Sequence, residues 1–174
     1  MIILAAGLLL AAMGGAHAAN VHVANSKDWV DVYSVLLYSA LQDDDRAFFL
    51  NSASQRTLMR VISADDTIYV YPAETATFSP FLAEQLVSQG YTAYTREAET
   101  NYNFDLDPQN GRYFIVSLDN PRITSTVGAI AAQTESWVFI ADGENADQIA
   151  QRVRGADQVI AVGPFGRDVL DELE

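Results

Sequence analysis

The chain has 174 residues, 49% of them hydrophobic, which is enough for an ordinary globular domain with a sizeable core. It contains no cysteine, which excludes a disulfide framework, a thiolate metal site and a cysteine nucleophile. Its net charge of −13, from 23 acidic and 10 basic residues, argues against a nucleic-acid partner and is unfavourable for anionic lipids and polymers.

The amino-terminal segment MIILAAGLLLAAMGGAHAA carries no charged residue and predicts a signal peptide over residues 1–19. Its apolar run, Ile2–Met13, is shorter than the about 20 residues that cross a bilayer. Ala16-His17-Ala18 then has the small-x-small form of a signal-peptidase site. Because no Lys or Arg precedes the apolar run, two alternatives stay open: a buried amino-terminal helix and an uncleaved membrane anchor.

After this leader, short apolar runs of strand length alternate with helical stretches. The polar turn Asn25–Asp28 supplies helix-capping residues, and the next stretch places Val32, Leu36 and Ala40 on one helical face. The predicted strands are Val21–Ala24, Ala47–Leu50, Thr67–Tyr71, Tyr91–Thr95, Tyr113–Ser117, Trp137–Ala141 and Gln158–Val162. The predicted helices are Trp29–Leu41, a short helix holding Leu58, Val61 and Ile62, Pro80–Gln89, Ile123–Gln133, Ala146–Arg154 and Gly166–Leu173.

The same order of elements occurs twice, in Val21–Pro72 and in Tyr113–Pro164. Apolar strands alternating with helices predict βαβ units with right-handed crossovers. We therefore predict an α/β fold, a Rossmann-like layered parallel sheet built from two similar βαβαβα halves. Residues 20–96 form the first α/β repeat, residues 97–111 the connection, and residues 112–174 the second repeat. The sequence leaves open whether the halves share one sheet or form two packed lobes.

Motifs of common enzyme classes are missing from the sequence. The turn after the first strand of each half lacks the glycines of a dinucleotide fingerprint, and there is no Walker-type loop. His17 belongs to the leader, and His22 is expected to face solvent or to act as a cap, which argues against a histidine triad or a histidine-rich zinc site. The sequence therefore predicts no cofactor and no catalytic residue.

The weak candidates for a site are acidic residues. Asp142 and Glu144 follow a strand of the second half, at the edge where ligands bind in parallel sheets, although a helix-cap role is the simpler explanation. Asp119 occupies the turn after the first strand of the same half. Asp105 and Asp107 alternate as in a calcium loop, but the twelfth position of that loop is a valine rather than a glutamate. A further acidic run, residues 43–45, is expected to be a solvated helix end.

The repeated unit resembles the cell wall-binding repeat type 2 of bacterial and archaeal surface proteins. Trp29–Ser34 is similar to the family's helix opening, Arg46–Asn51 to its second strand, and Gln158–Pro164, running into Asp168–Leu173, to its third strand and following helix. The resemblance implies a compact βαβαβα module in a secreted, non-enzymatic protein of the cell envelope or surface layer. It also implies a partner, either an envelope polymer or neighbouring surface-protein subunits, and leaves a homo-oligomer open.

Three hypotheses of function follow. The first is a secreted or cell-surface protein that acts by non-covalent binding or assembly. The second is an exported solute-binding or receptor-like module that closes a cleft between two α/β halves around its ligand. The third is a hydrolase or transferase with an aspartate-based site that includes Asp142.

Overall fold

The computed structural model describes residues 18–42, 45–51, 53–73, 77–96, 101 and 111–173. Within these ranges strands and helices alternate and every strand pairing is parallel, which confirms the predicted α/β, Rossmann-like layered fold. The strands are β1 (Asn20–Asn25), β2 (Arg46–Phe49), β3 (Thr67–Pro72), β4 (Thr92–Thr95), β5 (Arg112–Ser117), β6 (Trp137–Ala141) and β7 (Gln158–Val162). The helices are α1 (Trp29–Ala40), α2 (Gln55–Val61), α3 (Leu82–Ser88), α4 (Pro121–Gln133), α5 (Ala146–Arg152) and α6 (Arg167–Leu173).

The strands form two sheets, one in each half of the chain. The first sheet has the order β2-β1-β3-β4 and the second has the order β6-β5-β7. In both sheets the chain crosses from its first strand to one side and then returns to the other side, so the first strand lies between the second and the third. Among the described strands, the two halves therefore form separate sheets and do not share a continuous one, a question that the sequence left open.

The hand of the crossovers decides which helix covers which face. Because β2 and β3 lie on opposite sides of β1, right-handed crossovers place α1 on one face of the first sheet and α2 and α3 on the other. Leu58 of α2 and Leu86 of α3 pack accordingly in one buried apolar cluster with Val21 and Val23 of β1. Side chains alternate along a strand, so His22 lies on the opposite face, beneath α1.

Helices α1 and α4 bring the two halves together. Tyr33 of α1 lies over Gly128 of α4, and a Cβ atom added at Gly128 would stand 2.7 Å from the Tyr33 hydroxyl oxygen. The missing side chain lets the two helices approach closely at this point. Val35 of α1 and Val127 of α4 belong to one buried apolar cluster that draws residues from both halves. This packing sets the position of one sheet relative to the other.

Element boundaries differ little from the predicted ones. Strand β1 extends to Asn25, whose side chain accepts from the Phe78 and Ser79 N–H groups and donates to the Ser79 carbonyl. Helix α3 begins at Leu82 rather than at Pro80. Of the predicted leader, the structure describes only residues 18 and 19. Among the described helices, none is long and apolar enough to cross a membrane.

Candidate functional site

A cleft of about 350 Å³ lies where the amino end of α1 meets the carboxyl ends of β5 and β6. Parallel strands converge on this edge, and the turns that leave them supply the lining, as is usual for ligand sites in open α/β sheets. The volume falls at the lower end of the range of small-molecule sites. The lining residues are Asp28, Val30, Asp31, Asn101, Leu118, Ile140, Asp142, Glu144 and Asn145.

The first half contributes its part of the lining through the turn between β1 and α1. Asp28 is the N-cap of α1, and its carboxylate accepts from the Val30 N–H at 2.8 Å. Asp31 lies in the first turn of the helix, where its charge is favourable toward the helix dipole, and it accepts from the Ser26 hydroxyl at 2.7 Å. These bonds hold both carboxylates at the edge of the cleft.

The second half contributes the turn between β6 and α5. Asp142 Oδ1 accepts from the N–H groups of Glu144 and Asn145, at 2.8 and 3.0 Å. The Asn145 amide accepts in return from the Asp142 N–H at 3.0 Å and donates to the Ile140 carbonyl at 3.0 Å. Asp142 therefore braces the turn, while Glu144 remains exposed beside it. Asn145 is the N-cap residue of α5, yet its side chain makes no capping bond to the helix.

The charge of the cleft has one sign. Within the described ranges, its lining includes four carboxylates, two side-chain amides and no lysine, arginine or histidine, while Val30, Leu118 and Ile140 supply an apolar part. Among the described residues, no group of three or more side chains is arranged to hold a metal ion. The chemistry that this lining suits is the binding of a small molecule, or part of a larger one, that carries an ammonium or guanidinium group next to an apolar segment.

Asn101 fixes the inner wall of the cleft. Its side chain is buried, donates to the Val138 carbonyl and to the Ser34 hydroxyl at 3.0 Å each, and accepts from the Ile140 N–H at 2.7 Å. One amide thus satisfies two backbone groups on the outer edge of β6 and ties that strand to α1. The Asn101 carbonyl also accepts from the Trp137 indole N–H at 3.3 Å.

The structure brings together only some of the residues singled out from the sequence. Asp142 and Glu144 do line the cleft, whereas Asp119 is exposed in the turn after β5 and is not part of the lining. Asp105 and Asp107 lie outside the described residues. Sequence reasoning missed the roles of Asp31 and Asn101. The acidic first turn of α1 was a visible signal, but nothing in the sequence indicated that it would face the second half.

The position of His22 differs from the predicted one. It is buried rather than solvent-facing, with 3% of its surface exposed. Its Nε2 lies 2.8 Å from a carboxylate oxygen of Asp45, and its Nδ1 lies 2.9 Å from the Tyr71 hydroxyl. Since a carboxylate only accepts, Nε2–H donates to Asp45 and the neutral ring accepts from Tyr71. The rings of Tyr38 and Tyr69 pack against the imidazole, with centroids 5.2 and 5.4 Å away.

This buried chain of side chains links β1 and β3 to Asp45, the residue directly before β2. Burial lowers the pKa of His22 below its ordinary value of 6.5, against the opposing effect of the hydrogen bond to Asp45. The Asp45 side chain is itself 7% exposed, so it is not part of a solvated helix end as the sequence suggested. None of these groups lines the cleft, and their satisfied bonds indicate a structural brace.

No protein-family model, no curated protein and no solved structure matches this chain.

Proposed function

We propose that this protein is a non-enzymatic, exported binding protein of the cell surface or envelope, and that its ligand presents a cationic group to the cleft between the two halves. The observation that carries the proposal is the cleft itself, which is lined by carboxylates from both halves and by no basic side chain of the part of the chain that the structure describes. Export is supported by the apolar leader and its small-x-small end.

The cleft favours the solute-binding or receptor-like hypothesis in one specific way. The residues around it come from both halves, so a bound ligand contacts both and is sensitive to how they pack. If the envelope polymer that the family resemblance implies were anionic, it would meet Asp28, Asp31 and Glu144 with like charge. A polymer or solute with free amino groups meets the same residues with opposite charge.

Calorimetric titration with 1,4-diaminobutane tests the proposal, with 1,4-butanediol as an uncharged probe of the same length. We expect heat of binding with the diamine, none with the diol, and weaker binding at high salt, because exposed charges are screened. Glu144→Gln should weaken binding about two- to fivefold, the effect of one exposed ion pair. Glu172→Gln, an equal change of charge on α6 outside the cleft, should leave the affinity unchanged.

Equal binding of the diol, or an equal effect of the two glutamine variants, would contradict a cationic ligand in this cleft. Pull-down with isolated cell envelopes, before and after acetylation of their amino groups, identifies the source of the cationic group. Loss of binding on acetylation places that group on an envelope polymer. No binding to either preparation, together with diamine binding, places it on a free solute.

The outer edge of β7 supports assembly as a second function. Among the described strands β7 pairs only with β5, and its residues 158–162 carry no charge although the chain is strongly acidic. The Gln158 N–H donates toward β5, to the Gly111 carbonyl, so the backbone groups of Val159 and Ala161 point outward. Two copies related by a two-fold axis could pair these residues with each other.

Sedimentation equilibrium tests this second function. We expect the wild-type chain to dimerise and Ala161→Lys, which places a charge on an exposed position of the edge, to remain monomeric. A wild-type chain that is monomeric at all concentrations up to about 100 µM would exclude it, since a specific interface of ordinary affinity is saturated there.

A further inference from the structure

A buried carboxylate accepts a hydrogen bond from the backbone of Ala19, the residue directly before β1. Asp66, in the turn before β3, has 0% of its surface exposed. Its Oδ2 accepts from the Ser63 N–H at 2.6 Å and from the Arg46 guanidinium, while its Oδ1 accepts from the Ala19 N–H at 3.1 Å. Burial alone would raise the pKa of Asp66, but these hydrogen bonds and the positive charge of Arg46 lower it below its ordinary value, so Asp66 is ionised.

Ala19 is integrated into the first sheet by both of its backbone groups. Besides the N–H that points to Asp66, its carbonyl accepts from the Thr67 N–H at 3.0 Å, which continues the pairing of β1 with β3. Ala18, one residue earlier, is exposed. Ala19 directly follows the small-x-small sequence Ala16-His17-Ala18, and of the two described residues before β1 it is the one whose backbone is bonded to the fold.

We propose that the chain is processed between Ala18 and Ala19, and that the new α-ammonium group of Ala19 forms a buried ion pair with Asp66. A signal-peptidase-type endoprotease adds water across this peptide bond. The C–N bond breaks, Ala18 keeps the new carboxylate on the released leader, and the Ala19 nitrogen leaves as an amine that is protonated at neutral pH. The neutral N–H donor to Asp66 becomes a charged one, and such hydrogen bonds are roughly twice as strong.

The same contacts shorten the predicted leader from residues 1–19 to residues 1–18. Cleavage after Ala19 would remove both the donor to Asp66 and the acceptor for Thr67. Asp66 would then keep its burial and lose one of its partners, which is unfavourable for an ionised side chain. Cleavage one residue earlier, after His17, would place the free ammonium at the exposed Ala18 instead of at the carboxylate.

Export of the full-length chain, followed by mass spectrometry and amino-terminal sequencing, tests the position of the cut. We expect the exported protein to begin at Ala19. A protein that begins at Asn20, or one that keeps residues 1–18, would overturn the proposal. This inference shares only the export of the chain with the proposed function, and it is tested without a cleft ligand, so either can fail alone.

Reactivity of the new amine tests the ion pair. In the exported protein an amine-acylating reagent at neutral pH should modify Ala19 about tenfold more slowly than in Asp66→Asn, because an ion pair that raises the amine pKa by one unit depletes the reactive free base tenfold. Asp65→Asn, a change of the adjacent exposed carboxylate, serves as the matched control and should react like the wild type.

Equal rates in all three proteins would overturn the ion pair. If Asp66→Asn does not fold, nuclear magnetic resonance titration of the Ala19 amine in the wild type tests the same ion pair. We expect a pKa above the ordinary range of about 7.7–8.0 for an α-amino group, and a value inside that range would reject the pairing with Asp66.

Discussion

The close contact between Tyr33 and Gly128 makes a quantitative prediction about the packing of the two halves. An alanine Cβ at position 128 would stand 2.7 Å from the Tyr33 hydroxyl oxygen and 2.9 Å from a ring carbon, closer than atoms pack without a shift. Relieving such overpacking costs about 1–3 kcal/mol. In the middle of a helix, alanine is more favourable than glycine by about 1 kcal/mol, which offsets part of this cost. We expect Gly128→Ala to lower the free energy of unfolding by about 1 kcal/mol.

The same substitution in a Tyr33→Leu protein separates the cost of overpacking from the gain in helix propensity. In Tyr33→Leu the atoms that clash are removed, so Gly128→Ala should there raise the free energy of unfolding by about 1 kcal/mol. The coupling between the two positions is then about 2 kcal/mol, within the range of residues in contact. Urea denaturation of the four proteins measures these differences, with unchanged m values as the check on two-state behaviour. If Gly128→Ala stabilises both backgrounds equally, the proposed close approach of α1 and α4 is wrong.

Three further predictions concern buried polar groups. The pKa of His22 is lowered in the fold, so the unfolded chain binds a proton first as the pH falls below 6.5. The free energy of unfolding should therefore decline between that pH and the pKa of His22 in the folded protein. His22→Gln should flatten this decline, as measured by urea titrations at a series of pH values. Asn101→Ala should lower the free energy of unfolding by about 2–4 kcal/mol in the same assay, because the Ile140 N–H and the Val138 carbonyl lose their partner. A loss below about 0.5 kcal/mol would contradict the role of this amide. Tyr33→Phe should leave the free energy of unfolding unchanged or raise it by about 1 kcal/mol, since the buried Tyr33 hydroxyl has no hydrogen-bond partner among the described residues. Burial also raises the pKa of that hydroxyl. Marked destabilisation would show that the hydroxyl has a partner.

The secondary structure could be predicted from local pattern because its causes are local. The predicted strand Trp137–Ala141 is an apolar run buried on both faces, and the observed β6 has the same bounds. The start of α1 follows from a capping aspartate, whereas α4 begins at Pro121, after its cap Asn120, two residues before the predicted start at Ile123. Parallel pairing follows in turn, since strands that alternate with crossover helices run in the same direction.

The environments of individual polar side chains could not be predicted in this way. His22 has an ordinary place in a strand, and only the approach of Asp45, 23 residues later, and of Tyr71, 49 residues later, makes it a buried hydrogen-bonded ring. Asp66 is one of two adjacent aspartates in the sequence, and only its burial against Ala19 and Arg46 sets it apart from its exposed neighbour.

The sequence alone therefore determines the alternation of strands and helices and the parallel direction of the strands. Periodicity, capping and side-chain size act over a few residues and can be read directly. Only the tertiary structure decides that the halves have separate sheets, that α1 and α4 meet at Gly128, and that Asp31 and Glu144 share one cleft. These features depend on which surfaces pack across the two halves, and long-range packing leaves no local pattern in the chain.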